Sequence, residues 1–199
     1  QKPRKKFSGI PEKAHTNLMK DALKGIETYI GYFDHKIQIG YYLNRLIQLS
    51  LKKNLEKITK YKPRLAHGDF FLENLIYYKR KIFVIDHQDL HYNHPCLDIA
   101  SLIFDARRQY SSKVEDRCIK EYAKKSNQTL RDITYDIHLV SLARNLRILG
   151  NWINLYRSGK PQYLKKYRKA TWTQIFKHVE YLRFWDLREL FEEVYKKTK

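Results

Sequence analysis

The sequence predicts a mainly α-helical domain carrying one small β-hairpin, on three observations. Apolar residues recur at helical spacing over most of the chain, and one pair of short β-type runs is joined by a basic tripeptide. Glycine and proline are scarce, at 7 and 5 of 199 residues, which argues against a loop-rich chain. A chain of this length buries one good core and not two comfortable ones.

Residues 1–14 are basic, hold two prolines and Gly9, and read as a tether or the tail of a preceding segment. The first residue is Gln1, so the true N-terminus is expected upstream. From Asn17 to Phe33, Leu18, Ala22, Leu23, Ile26 and Ile30 mark a first helix. A second runs from about Ile39 to Ile58, with Leu43, Leu46, Ile47, Leu51 and Leu55 on its apolar face. Pro63 and then His67-Gly68-Asp69 break the helical period. Leu75–Tyr78 and Ile82–Ile85, joined by Lys79-Arg80-Lys81, read as the hairpin. After Pro95 the pattern predicts helices at about 97–109, 113–125, 130–156, 162–183 and 185–197, with Gly159-Lys160-Pro161 as the clearest stop.

Lysine and arginine total 40 against 21 aspartates and glutamates, a net charge of +19. A nucleic-acid binder gathers its cations on one face or tail. Here they are spread along the whole chain, which reads as a solvated, lysine-rich surface whose field favours phosphorylated or carboxylated ligands. Cys96 and Cys118 are too few for a disulfide framework or metal cluster. Each stands among apolar neighbours in an expected helix, so both read as buried free thiols of a reducing, cytoplasmic compartment. There is no signal peptide and no apolar run long enough to span a bilayer, so no membrane partner is expected.

The chemically informative stretch is His67-Gly68-Asp69-Phe70-Phe71-Leu72-Glu73-Asn74, followed by the hairpin and Val84-Ile85-Asp86. Phosphoryl transfer asks little of a protein beyond an acid that orients the acceptor hydroxyl and ligands for a metal that bridges the phosphates. An aspartate followed five residues later by asparagine supplies both from one loop, and a second aspartate at the end of the next strand meets the same metal. Magnesium prefers oxygen donors, so Asp69, Asn74 and Asp86 are the right residue types. Singly each means little: a surface aspartate is usually solvated, and His67 alone would be a structural histidine.

The joint pattern matches H-x-D-x-x-x-x-N, the catalytic loop of eukaryotic-type kinases, with the hairpin and an apolar-apolar-Asp metal segment behind it. With Gly68 in second place, and Ile85-Asp86-His87-Gln88-Asp89 where protein kinases have Asp-Phe-Gly, it resembles the aminoglycoside phosphotransferase and choline kinase superfamily. That resemblance implies the C-terminal lobe of a protein-kinase-like fold, with residues 15–199 as the lobe, 67–74 as catalytic loop and 84–89 as metal segment. It implies ATP as co-substrate, Mg²⁺ as cofactor, Asp69 as catalytic base or hydroxyl-orienter, and Asn74 and Asp86 as metal ligands. His67 and Asp98, in Leu97-Asp98-Ile99-Ala100, would brace the loop.

Val84–Asp89, Leu97–Leu102, Asp105-Ala106-Arg107-Arg108, Arg144–Gly150 and Gly159–Leu164 further resemble the bacterial anomeric kinases of N-acetylmuramate and N-acetylglucosamine, over about residues 15 to 165. These kinases phosphorylate the sugar C1 hydroxyl in cell-wall recycling. The narrower resemblance places Asp89, Asp105 and Arg144 near an acceptor sugar. The competing reading for Asp105 and Arg144 is helix-surface ion pairing.

A complete member also holds ATP in an N-terminal lobe with a phosphate-covering loop and a strand lysine paired to a helix glutamate. Only 66 residues precede His67, and they read as a tether and two helices. The expectation is therefore a fragment of a longer kinase, with a separate N-lobe chain or a decayed paralogue as the alternatives. A non-catalytic binding or scaffold module with a basic surface is the competing class. Three converging oxygen donors argue against it.

Overall fold

A computed structural model describes residues 9–11, 15–34 and 40–198. Most of the expected tether, and the expected start of the second helix at Ile39, lie outside these residues. The described part of the tether is anchored: the Pro11 carbonyl accepts the Tyr92 N–H at 2.9 Å.

The described chain contains helices α1 (His15–Tyr32), α2 (Gly40–Leu55), α3 (Leu97–Ile103), α4 (Ser112–Ser126), α5 (Leu130–Arg157), α6 (Gln162–Leu182) and α7 (Trp185–Lys197). Between α2 and α3 stand strands β1 (Arg64–Ala66), β2 (Leu75–Tyr78), β3 (Lys81–Val84) and β4 (His91–Asn93), with short 3₁₀ turns between them. The mainly helical architecture with a hairpin agrees with the sequence. The second antiparallel pair, β1 with β4, does not follow from it: Arg64 lies opposite Asn93 and Ala66 opposite His91. Strands of three residues are too short to carry a two-residue period.

Helix α5 is the axis of the domain. Thr129 caps it by accepting the Asp132 N–H at 3.1 Å, and α1, α3, α4 and α6 all pack against it. Leu139, Val140, Ser141 and Leu142 follow one another and are all buried, so that helix is covered on every side, as befits an element surrounded by others. Gly25 of α1 and Gly150 of α5 meet where the two helices cross. A Cβ at Gly25 would lie 2.3 Å from the Leu146 carbonyl oxygen and 2.5 Å from the Arg147 Cα, so the backbones touch only because no side chain intervenes. At the far end of α5, Gly159 at φ +85° reverses the chain while the Lys160 N–H returns to the Leu155 carbonyl at 2.9 Å.

Two local expectations need correction. The helix expected over 97–109 ends at Ile103, because the Asp105 carboxylate takes the Arg107 N–H at 3.0 Å and folds 105–108 into a turn. In the hairpin, Lys81 pairs with Tyr78 in β3, leaving Lys79 and Arg80 as a two-residue turn at φ 48° and 62°. Cys96 is buried just before α3, whereas Cys118 on α4 is only half-buried; both are free thiols.

Candidate active site

The loop 67–74 begins where β1 ends, so the β1–β4 pair aims it. Gly68, at φ +85°, sits so close to β4 that a Cβ would come within 2.8 Å of both the Asp89 carbonyl and the His91 ring. Glycine is required there on conformational and steric grounds together. Asp98, in the first turn of α3, accepts the His67 N–H at 2.8 Å and the Gly68 N–H at 3.1 Å. The bend before Asp69 is thus held by one carboxylate.

The far side of the loop is tied to the hairpin. The His67 Nε2 lies 2.9 Å from the Ile85 carbonyl oxygen. A carbonyl only accepts, so Nε2 is the donor, and Nδ1 is buried without a partner. The Ile85 N–H in turn donates to the Asn74 carbonyl at 3.0 Å. Asn74 is buried and its Nδ2 donates to the Asp69 carbonyl at 2.9 Å, which leaves Oδ1 as the amide's outward acceptor. Ile85 is therefore fastened to the loop from both sides, and Asp86 follows it in a left-handed conformation at φ 66° and ψ 56°. This conformation is uncommon outside glycine and best tolerated by Asp and Asn.

Asp69, Asp89, Gly68 and Arg147 line one cleft of about 480 Å³, which Asn17 and Asp21 of α1 complete. That is within the range of small-molecule sites. Burial raises the Asp69 carboxyl above its ordinary value; the Asp89 charge adds to this, and Arg144, Arg147 and Arg107 oppose it. Among the described residues no three His, Cys, Asp or Glu side chains cluster as a complete metal cage. Asn74 Oδ1 and the exposed Asp86 carboxylate are hard oxygen donors of the type magnesium takes alongside water and phosphate oxygens.

The remaining site candidates separate. Asp105 is 1% exposed and spent on Arg107, receiving Nε at 2.9 Å and Nη2 at 2.8 Å as well as the backbone N–H. Burial pushes its carboxyl up, but these bonds and the Arg107 charge outweigh that and hold it below its ordinary value. Arg107 also stacks over Phe71 at 4.0 Å, and Arg108 grips Glu73 at 2.6 Å, so this turn clamps the outside of the loop 67–74. Arg144 is 4% exposed on α5, and its Nε and Nη1 have no hydrogen-bond partner. Burial, helped by the neighbouring Arg147 charge, pushes its guanidinium down to about 10. Asn17 and Asp21 carry no motif signal in the sequence, and Arg147 enters one only as part of the Arg144–Gly150 segment. The crossing at Gly25 brings them to the cleft, so only the paired small residues on α1 and α5 hinted at it.

The sequence from 34 to 133 matches the phosphotransferase enzyme family (APH). The chain belongs to that family. As a family member it carries the expected kinase-like relationship, and the loop, the hairpin and Asp98 all lie inside the matched segment. Over 105 residues it is 32% identical to a protein of Caulobacter vibrioides named N-acetylmuramate/N-acetylglucosamine kinase. The match covers 49% of this chain, and the chain spans 29% of that protein's length. No described helix is long and apolar enough to cross a membrane.

Proposed function

We propose that this phosphotransferase moves the γ-phosphate of ATP to a hydroxyl of an N-acetylated amino sugar in the cytoplasm. The observation that carries this reading is the fastening of Ile85 to His67 and Asn74, which sets Asp86 beside the loop that holds Asp69 and Asn74. Asp69 accepts the hydroxyl proton as the acceptor oxygen bonds to phosphorus and ADP departs with the electron pair of the broken bond. Its raised proton affinity suits a base that must take a proton and pass it on. Asn74 Oδ1 and Asp86 would hold Mg²⁺, which would offset the phosphate charge. His67 and Asp98 keep the loop in register, and Asp89 is the acceptor contact from the facing turn.

Ile76 and Phe83 on one face of the hairpin, and Tyr77 and Ile82 on the other, are all at least 47% exposed, which leaves the hairpin apolar on both sides. A nucleotide-holding lobe supplied in cis or in trans would cover it, since the described helices hold no phosphate-covering loop. A second reading has one observation in its favour. Asp21, Asp69 and Asp89 give the cleft three carboxylates against Arg147, which would also suit a cationic, aminoglycoside-like or choline-like acceptor.

Competition among N-acetylmuramate, N-acetylglucosamine, kanamycin and choline, with the full-length protein and Mg-ATP, tests the proposal. Turnover of the acetylated sugars is expected. Preference for the cations would leave only the family assignment.

A further inference from the structure

Buried polar atoms in a folded protein nearly always have partners, and those that lack one call for a reason. Arg144 Nε and Nη1 and Arg147 Nε are such atoms, three guanidinium nitrogens one helical turn apart on the same face of α5. Their neighbours contrast with them. Arg107 and Arg108, a few residues beyond α3, are saturated by Asp105 and Glu73. Asp105 is the anion that acts most strongly on Arg144, yet Arg107 occupies its carboxylate. Arg147 opens onto the cleft that holds Asp69, and Arg144 stands behind it, fully buried. A buried guanidinium without a hydrogen-bonded anion costs stability, and the cost is recovered when an anion arrives.

We propose that Arg144 and Arg147 form an anion subsite at the α5 wall of the cleft, which takes a carboxylate carried by the acceptor while Asp69 addresses its hydroxyl. This rests on the acceptor reading above and narrows it to an acidic acetylated amino sugar. The fork of a guanidinium matches the two oxygens of a carboxylate, and Arg147 donates directly while the buried Arg144 supplies a second positive charge from behind it. The subsite also accounts for the acidic cleft. Asp21 and Asp89 are placed to accept from sugar hydroxyls, and the arginine pair supplies the charge that tells an acidic sugar from a neutral one.

The test is equilibrium binding of N-acetylmuramate, its neutral methyl ester and N-acetylglucosamine to the full-length protein. The acid should bind about tenfold or more tighter than the ester, the ratio expected for one charge-assisted bidentate contact. Arg147→Ala should erase that gap, while Arg147→Lys keeps part of it. Should either variant fail to fold, the wild-type protein still answers: the acid–ester gap should narrow as salt is raised. Arg144→Met should melt no lower than wild type without sugar and lose the added thermal protection that the acid confers. Equal binding of acid and ester by wild type, or a gap that survives in both Arg147→Ala and Arg144→Met, overturns the subsite and leaves the sugar-kinase reading intact. Binding of kanamycin or choline with none of the three sugars bound overturns both.

Discussion

The Asp98 carboxylate holds the His67 backbone by its N–H at 2.8 Å, and its second oxygen takes the next N–H along the chain at 3.1 Å. Two donors of the catalytic loop therefore depend on one side chain from a different element. Asp98→Ala leaves both unpaired and should destabilise the protein by about 2 kcal/mol or more. Thermal melting measures it, and an unchanged midpoint would remove Asp98 from the loop's support. Asp98→Asn, which keeps one acceptor oxygen, should fall between.

Asp69→Asn should leave the melting temperature almost unchanged and lower kcat by about a hundredfold or more, the usual range for losing a general base. Burial raises the Asp69 carboxyl, so its charged form adds little native stability and its loss should cost little. Near-normal turnover would show that another group takes the proton.

The pH profile follows from the same residue. Asp69 must be ionised to accept a proton, so the acidic limb of kcat/KM should lie above the ordinary carboxylate value. Asp89→Asn removes a charge that raises Asp69 and should shift the limb down; Arg144→Met removes one that lowers it and should shift the limb up. For stability the sign is opposite to that of a salt-bridged aspartate. The native carboxyl binds its proton more tightly than the unfolded one, so its contribution is fully present below the unfolded value and is lost as pH rises through the raised native value. Limb shifts of the same sign in both variants would refute the electrostatic assignment.

Asp86→Asn tests the metal segment without disturbing the backbone, because asparagine tolerates the left-handed conformation at φ 66°. The Mg²⁺ concentration for half-maximal activity should rise, and rise more than for Asn74→Ala, since Asp86 brings a full charge. An Mg²⁺ requirement unaltered in both would place the metal elsewhere.

Gly25→Ala should cost stability and substrate affinity together. A Cβ there would sit 2.3 Å from the Leu146 carbonyl oxygen, so α1 and α5 must separate, carrying Asp21 away from Arg147. Overpacking of this kind costs about 1–3 kcal/mol. A melting temperature equal to wild type would mean the crossing relaxes freely.

Local order in the chain was enough to write the helices and hairpin down in sequence, because a helix face or a two-residue alternation is a short-range pattern repeated over many residues. The spacing of Asp69, Asn74 and Asp86 was legible for the same reason: one loop and one hairpin hold all three, and the bonds at Ile85 reach no further than 18 residues along the chain. The truncation of the helix before Asp105 was decided by a side chain folding back on Arg107, a local competition whose outcome depends on Arg107 being anchored over Phe71. Tertiary structure alone brought β1 to β4, set Gly25 against Gly150, and turned Arg147 toward Asp69 from more than seventy residues away. Such pairings are chosen by which surfaces fit once the core closes around α5, and no periodicity along the chain encodes that fit.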